Sequence, residues 1–181
     1  MNALGMIELN NIPVGIESAD AMLKTADVRL VSAQPVCAGK YIAIVAGDVM
    51  AVRSSVQAGC ENAVDKLVDS LVIPNVHEQV LRAVGAASEI GRVDAVGIVE
   101  TFSLCAAVIA ADTAVKTANI DLIEVRLGRG LGGKSFVVLT GDVAAAEAAV
   151  AAVKETEEIQ GLLSQCVVIP SLHRDLVGSL L

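Results

Sequence analysis

Asp20-Ala21-Met22-Leu23-Lys24-Thr25-Ala26 returns as Asp112-Thr113-Ala114-Val115-Lys116-Thr117-Ala118, an offset of 92. Gly5 and Glu8 return at the same offset as Gly97 and Glu100. Further along, Gly39-Lys40 and Gly47-Asp48-Val49 return as Gly133-Lys134 and Gly141-Asp142-Val143, now at an offset of 94. Ile73-Pro74 and His77 return as Ile169-Pro170 and His173, at 96. Blocks that recur in one order across the whole chain mark a domain written twice. The 181 residues therefore divide into a first domain over 1–90 and a second over 91–181. The join falls in the small and polar stretch from Gly85 to Asp94.

Each copy reads alike. Leu4–Leu9 and Val96–Thr101 are short apolar runs of strand length. The helix that follows has apolar residues at three-to-four spacing: Ile16, Ala19, Leu23 and Ala26, repeated by Val108, Ala111, Val115 and Ala118. Two strands follow in each copy, Val28–Gln34 with Tyr41–Ala46 and Ile120–Arg126 with Phe136–Thr140, joined by glycine-containing loops as hairpins. Asp48 and Asp142 precede long helices, where a carboxylate oxygen caps free backbone N–H groups. Val49, Val52, Val56 and Ala63 mark the buried face of the first of these. A last strand ends at Pro74 or Pro170, with a short helix beyond. The order β-α-β-β-α-β plus a terminal helix predicts an α+β fold, two tandem ferredoxin-like domains.

Composition narrows the function. The chain is 54% hydrophobic, so it is not disordered. It carries one Tyr, two Phe and no Trp, and a net charge of -8. An acidic surface with so few rings is unsuited to nucleic acid, by charge and by stacking. The apolar run from Cys105 to Ala111 stops at Asp112, well short of the ~20 residues that span a bilayer. The opening residues hold no basic region, so no secretory signal is expected and the cytoplasm is the expected location. A mean hydropathy of +0.65, built from Ala, Val, Ile and Leu, predicts either very flat packing of small residues or surface hidden in an assembly.

Gly128-Arg129-Gly130-Leu131-Gly132-Gly133-Lys134-Ser135 fits the phosphate-loop pattern G-x-x-x-x-G-K-[ST]. A phosphate loop opens a helix, whose amides cradle the anion. Here Ser135-Phe136-Val137-Val138-Leu139-Thr140 reads as a strand, so the stretch is expected to be a hairpin loop and not a nucleotide site. The cysteines, at 37, 60, 105 and 166, form no Cys-x-x-Cys pair and are expected as free thiols. Cys60, Cys105 and Cys166 sit beside apolar positions and read as small packed hydrophobes. No nucleophile or acid–base constellation recurs around His77 or His173, which read as rim or helix-start residues. An enzyme is therefore not expected.

The blocks Gly5-Met6-Ile7-Glu8, Asp20 to Ala26, Gly39-Lys40, Gly47-Asp48-Val49 and Ile73-Pro74 together resemble the shell domain of bacterial microcompartments, twice over. Tandem shell proteins form trimers that mimic hexamers and tile into a polyhedral shell, so the resemblance implies a homotrimer, other shell proteins as partners and a place in the microcompartment shell. The cysteine in Val36-Cys37-Ala38-Gly39-Lys40 resembles the T-type proteins of propanediol-utilisation shells, although those carry Pro where this chain has Ala38. That resemblance implies a central pore lined by Val36, Cys37, Ala38, Gly39, Leu131 and Gly132. It also implies one [4Fe-4S] cluster per trimer, ligated by Cys37 of three subunits and passing electrons across the shell, with an encapsulated redox enzyme as an electron partner. Thiolates are the usual ligands of such clusters. Three converging thiolates repel one another until a metal neutralises them.

Two questions stay open. Cys37 is a cluster ligand, or it is a small side chain lining an open metabolite pore, with Arg126 and Arg129 attracting anions. Lys24 and Lys116 are ordinary helix partners of Asp20 and Asp112, four residues before each, or, as the resemblance implies, edge lysines that pack against a neighbouring disc.

Overall fold

The computed structural model describes residues 3–88 and 91–180. The first copy runs β1 (Ala3–Leu9), α1 (Ile12–Thr25), β2 (Arg29–Val36), β3 (Lys40–Gly47), α2 (Val49–Ala63), β4 (Leu67–Ile73) and α3 (Glu78–Val84). The second runs β5 (Ala95–Thr101), α4 (Leu104–Thr117), β6 (Asp121–Leu127), β7 (Ser135–Gly141), α5 (Val143–Glu155), β8 (Leu163–Ile169) and α6 (Arg174–Leu180). The α+β order expected from the repeats is the one formed. Among the described residues no helix is long and apolar enough to cross a membrane.

Two antiparallel sheets result, ordered β2-β3-β1-β4 and β6-β7-β5-β8. Their registers match residue for residue. Arg29 lies opposite Ala46 and Asp121 opposite Thr140, each with a slip two positions later. A second slip falls after Glu8 in one copy and after Glu100 in the other. Irregularities kept in both copies are built-in bends of the sheet, and they fix which residue of one copy corresponds to which of the other.

Capping sets where the helices begin. Asn11 and Ser103 accept from the amides of Val14 and Ala106 at the starts of α1 and α4. Asp48 and Asp142 accept from Met50 and Ala145 at the starts of α2 and α5. Glycines set how closely helix and sheet approach. A Cβ on Gly5 would come within 2.5 Å of Val56 Cγ2 on α2, and one on Gly97 within 3.0 Å of Val150 Cγ2 on α5.

One expected face differs from the structure. In α1 the buried residues are Gly15, Ser18, Ala19 and Met22, while Ile16 and Leu23 face outward. Their counterparts in α4, Val108 and Val115, are buried. The apolar stripe is real in both helices, but within one chain Ile16 and Leu23 stay open where Val108 and Val115 are covered.

By packing, the chain resolves into two compact units. One runs through Val76 and includes Gly128–Gly133; the other holds His77–Leu127 and the residues from Lys134 on. In the first, Ile7, Leu9, Met22, Tyr41, Val45, Val52 and Val56 form the core between sheet and helices. In the second, α3 lies against β6 and α4, although the repeat writes it with the first copy.

Candidate functional site

The β2–β3 hairpin turns through Cys37-Ala38-Gly39, with Gly39 at φ +74. Within the same compact unit lies the glycine-rich loop 128–133, where Gly128, Gly130, Gly132 and Gly133 all take positive φ. Two bonds join the loops. The Cys37 amide donates to the Gly128 carbonyl at 3.0 Å, and the Gly130 amide donates to Cys37 Sγ at 3.2 Å. Glycine suits this loop because positive φ is costly for other residues. Arg129 donates to Gln34 on β2.

Of the expected pore residues, Val36 is buried and anchors the hairpin, Cys37 and Leu131 are half-buried, and Ala38, Gly39 and Gly132 are exposed. Cys60 lies on α2 and Cys105 is buried in α4. Cys166 lies within β8. Burial pushes its thiol pKa up, against a smaller opposing pull from Lys154. Among the described residues no three His, Cys, Asp or Glu converge on a possible metal site. A cluster at Cys37 therefore needs ligands from further chains. The sulfur fits such a role by position, since Cys37 is half-buried on the hairpin turn with the Gly130 amide aimed at its Sγ.

Ser135 opens strand β7 and not a helix, so the phosphate-loop pattern is a hairpin loop, as expected. Lys134 instead donates to Glu100 Oε2 at 2.8 Å and sits 5.4 Å from the Phe102 ring centre. Its counterpart Lys40 donates to the buried Glu8 at 2.6 Å. The sequence displayed all four residues as repeats, but not that they pair across 30 residues or more. Arg126 is held by Glu124 at 2.6 Å and lies over Phe136.

Lys24 and Lys116 each reach back four residues, to Asp20 at 2.6 Å and Asp112 at 2.5 Å. The first pair is well exposed and the second partly covered. His77 and His173 are helix-start residues: each Nδ1 accepts the amide two residues on, of Gln79 and Asp175, at 3.3 Å.

A model of the BMC domain matches the chain twice, at residues 3–76 and 95–172. This chain belongs to the BMC-domain family. The microcompartment shell protein PduT of Citrobacter freundii is 42% identical to it over 174 residues, 96% of this chain and 95% of that protein. The carboxysome shell protein CsoS1 of Prochlorococcus marinus is 40% identical over 95 residues, 51% of this chain and 92% of its own length. A crystal structure of a microcompartment protein from Desulfitobacterium hafniense superposes with a TM-score of 0.93 at 52% identity, covering 98% of this chain and 99% of that one. PduT and CsoS1 are both shell proteins.

Proposed function

We propose that this chain is a structural component of a bacterial microcompartment shell, that three copies close into a ring of six BMC domains, and that the three Cys37 thiols hold one [4Fe-4S] cluster at its centre for electron transfer across the shell. Support for the shell role is the likeness to PduT along nearly the whole length of both chains.

Support for the ring is a mismatch of exposure between equivalent residues. Ile16 on α1 is 54% exposed where Val108 on α4 is fully buried, and Leu30 on β2 is 43% exposed where Leu122 on β6 is 3%. A face that is covered in one copy and open in the other is completed by a second chain placed head to tail, and head-to-tail contacts that close form rings.

The observation that carries the cluster is the position of Cys37. Among the described residues it is the cysteine on a hairpin loop, with its Sγ taking the Gly130 amide. A threefold axis would bring three such loops together. The cluster, when bound, supplies one-electron redox chemistry. The chain's own part is to present the sulfur, to aim an amide at it and to hold the loop through the Cys37–Gly128 bond.

Anaerobic reconstitution with iron and sulfide tests this. One cluster per trimer is expected, lost in Cys37→Ser and kept in Cys60→Ala, Cys105→Ala and Cys166→Ala. Equal iron and sulfide in Cys37→Ser would overturn the cluster and favour an open pore for small metabolites.

A further inference from the structure

We propose that Asp175 of one copy pairs with Arg29 of the next, and that this ion pair matches the terminal helix α6 to the groove formed by α1 and β2 of a second chain. The inference rests on the ring reading above and adds the charge that sets its register.

The template lies inside one compact unit. Helix α3 seats on β6 and α4 through four polar contacts. Gln79 Oε1 accepts the Leu122 amide at 2.8 Å. Gln79 Nε2 donates to Asp121 Oδ1 at 3.2 Å and to the Ile120 carbonyl at 3.5 Å. The His77 amide donates to Asp112 Oδ1 at 2.9 Å. Val80 is fully buried beneath them.

Each partner has a counterpart. Helix α6 starts one residue after His173 as α3 starts one residue after His77, with the same Nδ1 cap, so Asp175 stands where Gln79 stands. The strand registers place Arg29 where Asp121 stands and Leu30 where Leu122 stands. Asp20 corresponds to Asp112. On α6, Asp175 is 75% exposed, with His173 Nδ1 and Arg174 Nε each 3.6 Å away. Arg29 is exposed at the outer strand of its sheet.

Seating α6 of one chain on α1 and β2 of another, as α3 sits on α4 and β6, brings Asp175 to Arg29 and the His173 amide to Asp20. The amide–carboxylate contact of the template becomes carboxylate–guanidinium. The crossed pairings are poor. Asp175 over Asp121 sets two carboxylates together, and Gln79 over Arg29 sets an amide against a guanidinium that it satisfies less well. Each terminal helix thus matches one groove, by repulsion as well as attraction.

Charge reversal tests the pairing in the full-length protein. Arg29→Asp and Asp175→Arg, each alone, are expected to raise the concentration at which trimers dissociate by roughly tenfold, as read by sedimentation over a dilution series. The double reversal is expected to recover most of that loss, and the penalty of each single variant to shrink in high salt. Both residues are exposed, so the melting curve by circular dichroism should stay unchanged under conditions where every variant is monomeric. Wild-type trimers with no rescue in the double variant overturn the ion pair and leave the ring standing. A wild-type chain that is monomeric at micromolar concentration overturns both.

Discussion

The Lys40 ammonium donates to Glu8 Oε1 at 2.6 Å, tying the start of β3 to β1 through a carboxylate with no solvent exposure. Its repeat, Lys134 with Glu100, spans 2.8 Å with both side chains more than a third exposed. The same contact therefore has two weights. Taking a charge partner from a buried carboxylate costs more than breaking an exposed pair, which contributes little. Lys40→Ala should cost clearly more stability than Lys134→Ala, which should cost about 0.5 kcal/mol, measured by urea unfolding. Neither variant should change ATP hydrolysis, since no nucleotide site is expected at Lys134. Equal losses in the two variants would count against the assignment by burial.

Glu100 titrates below the ordinary glutamate range, chiefly because Lys134 hydrogen-bonds to it, with Ser164 adding to the effect and desolvation opposing it. A carboxyl whose folded pKa is lowered stabilises above its unfolded value and stops doing so as pH falls through the folded one. Wild type should therefore exceed Glu100→Gln in stability at neutral pH, and the gap should close on acidification below roughly pH 4. A gap that widens in acid would reverse the sign.

Gly5 and Gly97 recur because helices and side chains crowd the sheet there. Gly5→Ala presses on Val52 and Val56 of α2, and Gly97→Ala on Leu139 and Val150. Each should lower stability by about 1–3 kcal/mol, the usual cost of overpacking. Gly91→Ala, with nothing within 4 Å of the added carbon, should have little effect. Thermal melts of the three variants provide the comparison.

Lys24 is more exposed than Lys116, and its partner Asp20 more exposed than Asp112. If these lysines meet neighbouring discs, Lys24→Asp and Lys116→Asp should impair extended sheets seen by electron microscopy while trimers persist in sedimentation. Normal sheets in the double variant would leave both lysines as helix partners of Asp20 and Asp112.

The repeats made the fold legible, because Gly5, Asp48 and Pro74 mark a close approach, a cap and a strand end, all local devices. Less legible was what lies across the sheet or beyond the copy. The stripe of Ile16 and Leu23 has helical spacing, yet spacing cannot tell a face covered by its own chain from one left for another. The Lys40–Glu8 pair depends on strand register, which the repeated letters do not state. The Cys37–Gly130 contact joins loops 93 positions apart, and nothing local in either loop points to the other.

The seat of α3 on β6 and α4 has a consequence for how the protein is made. On a ribosome α3 emerges before β5, α4 and β6 exist. The first sheet can close while Val80 and Ala83, buried in the finished protein, still wait for the surface that covers them. During that interval the nascent chain displays a short apolar helix that only continued synthesis can shelter, a window in which chaperones have a defined target.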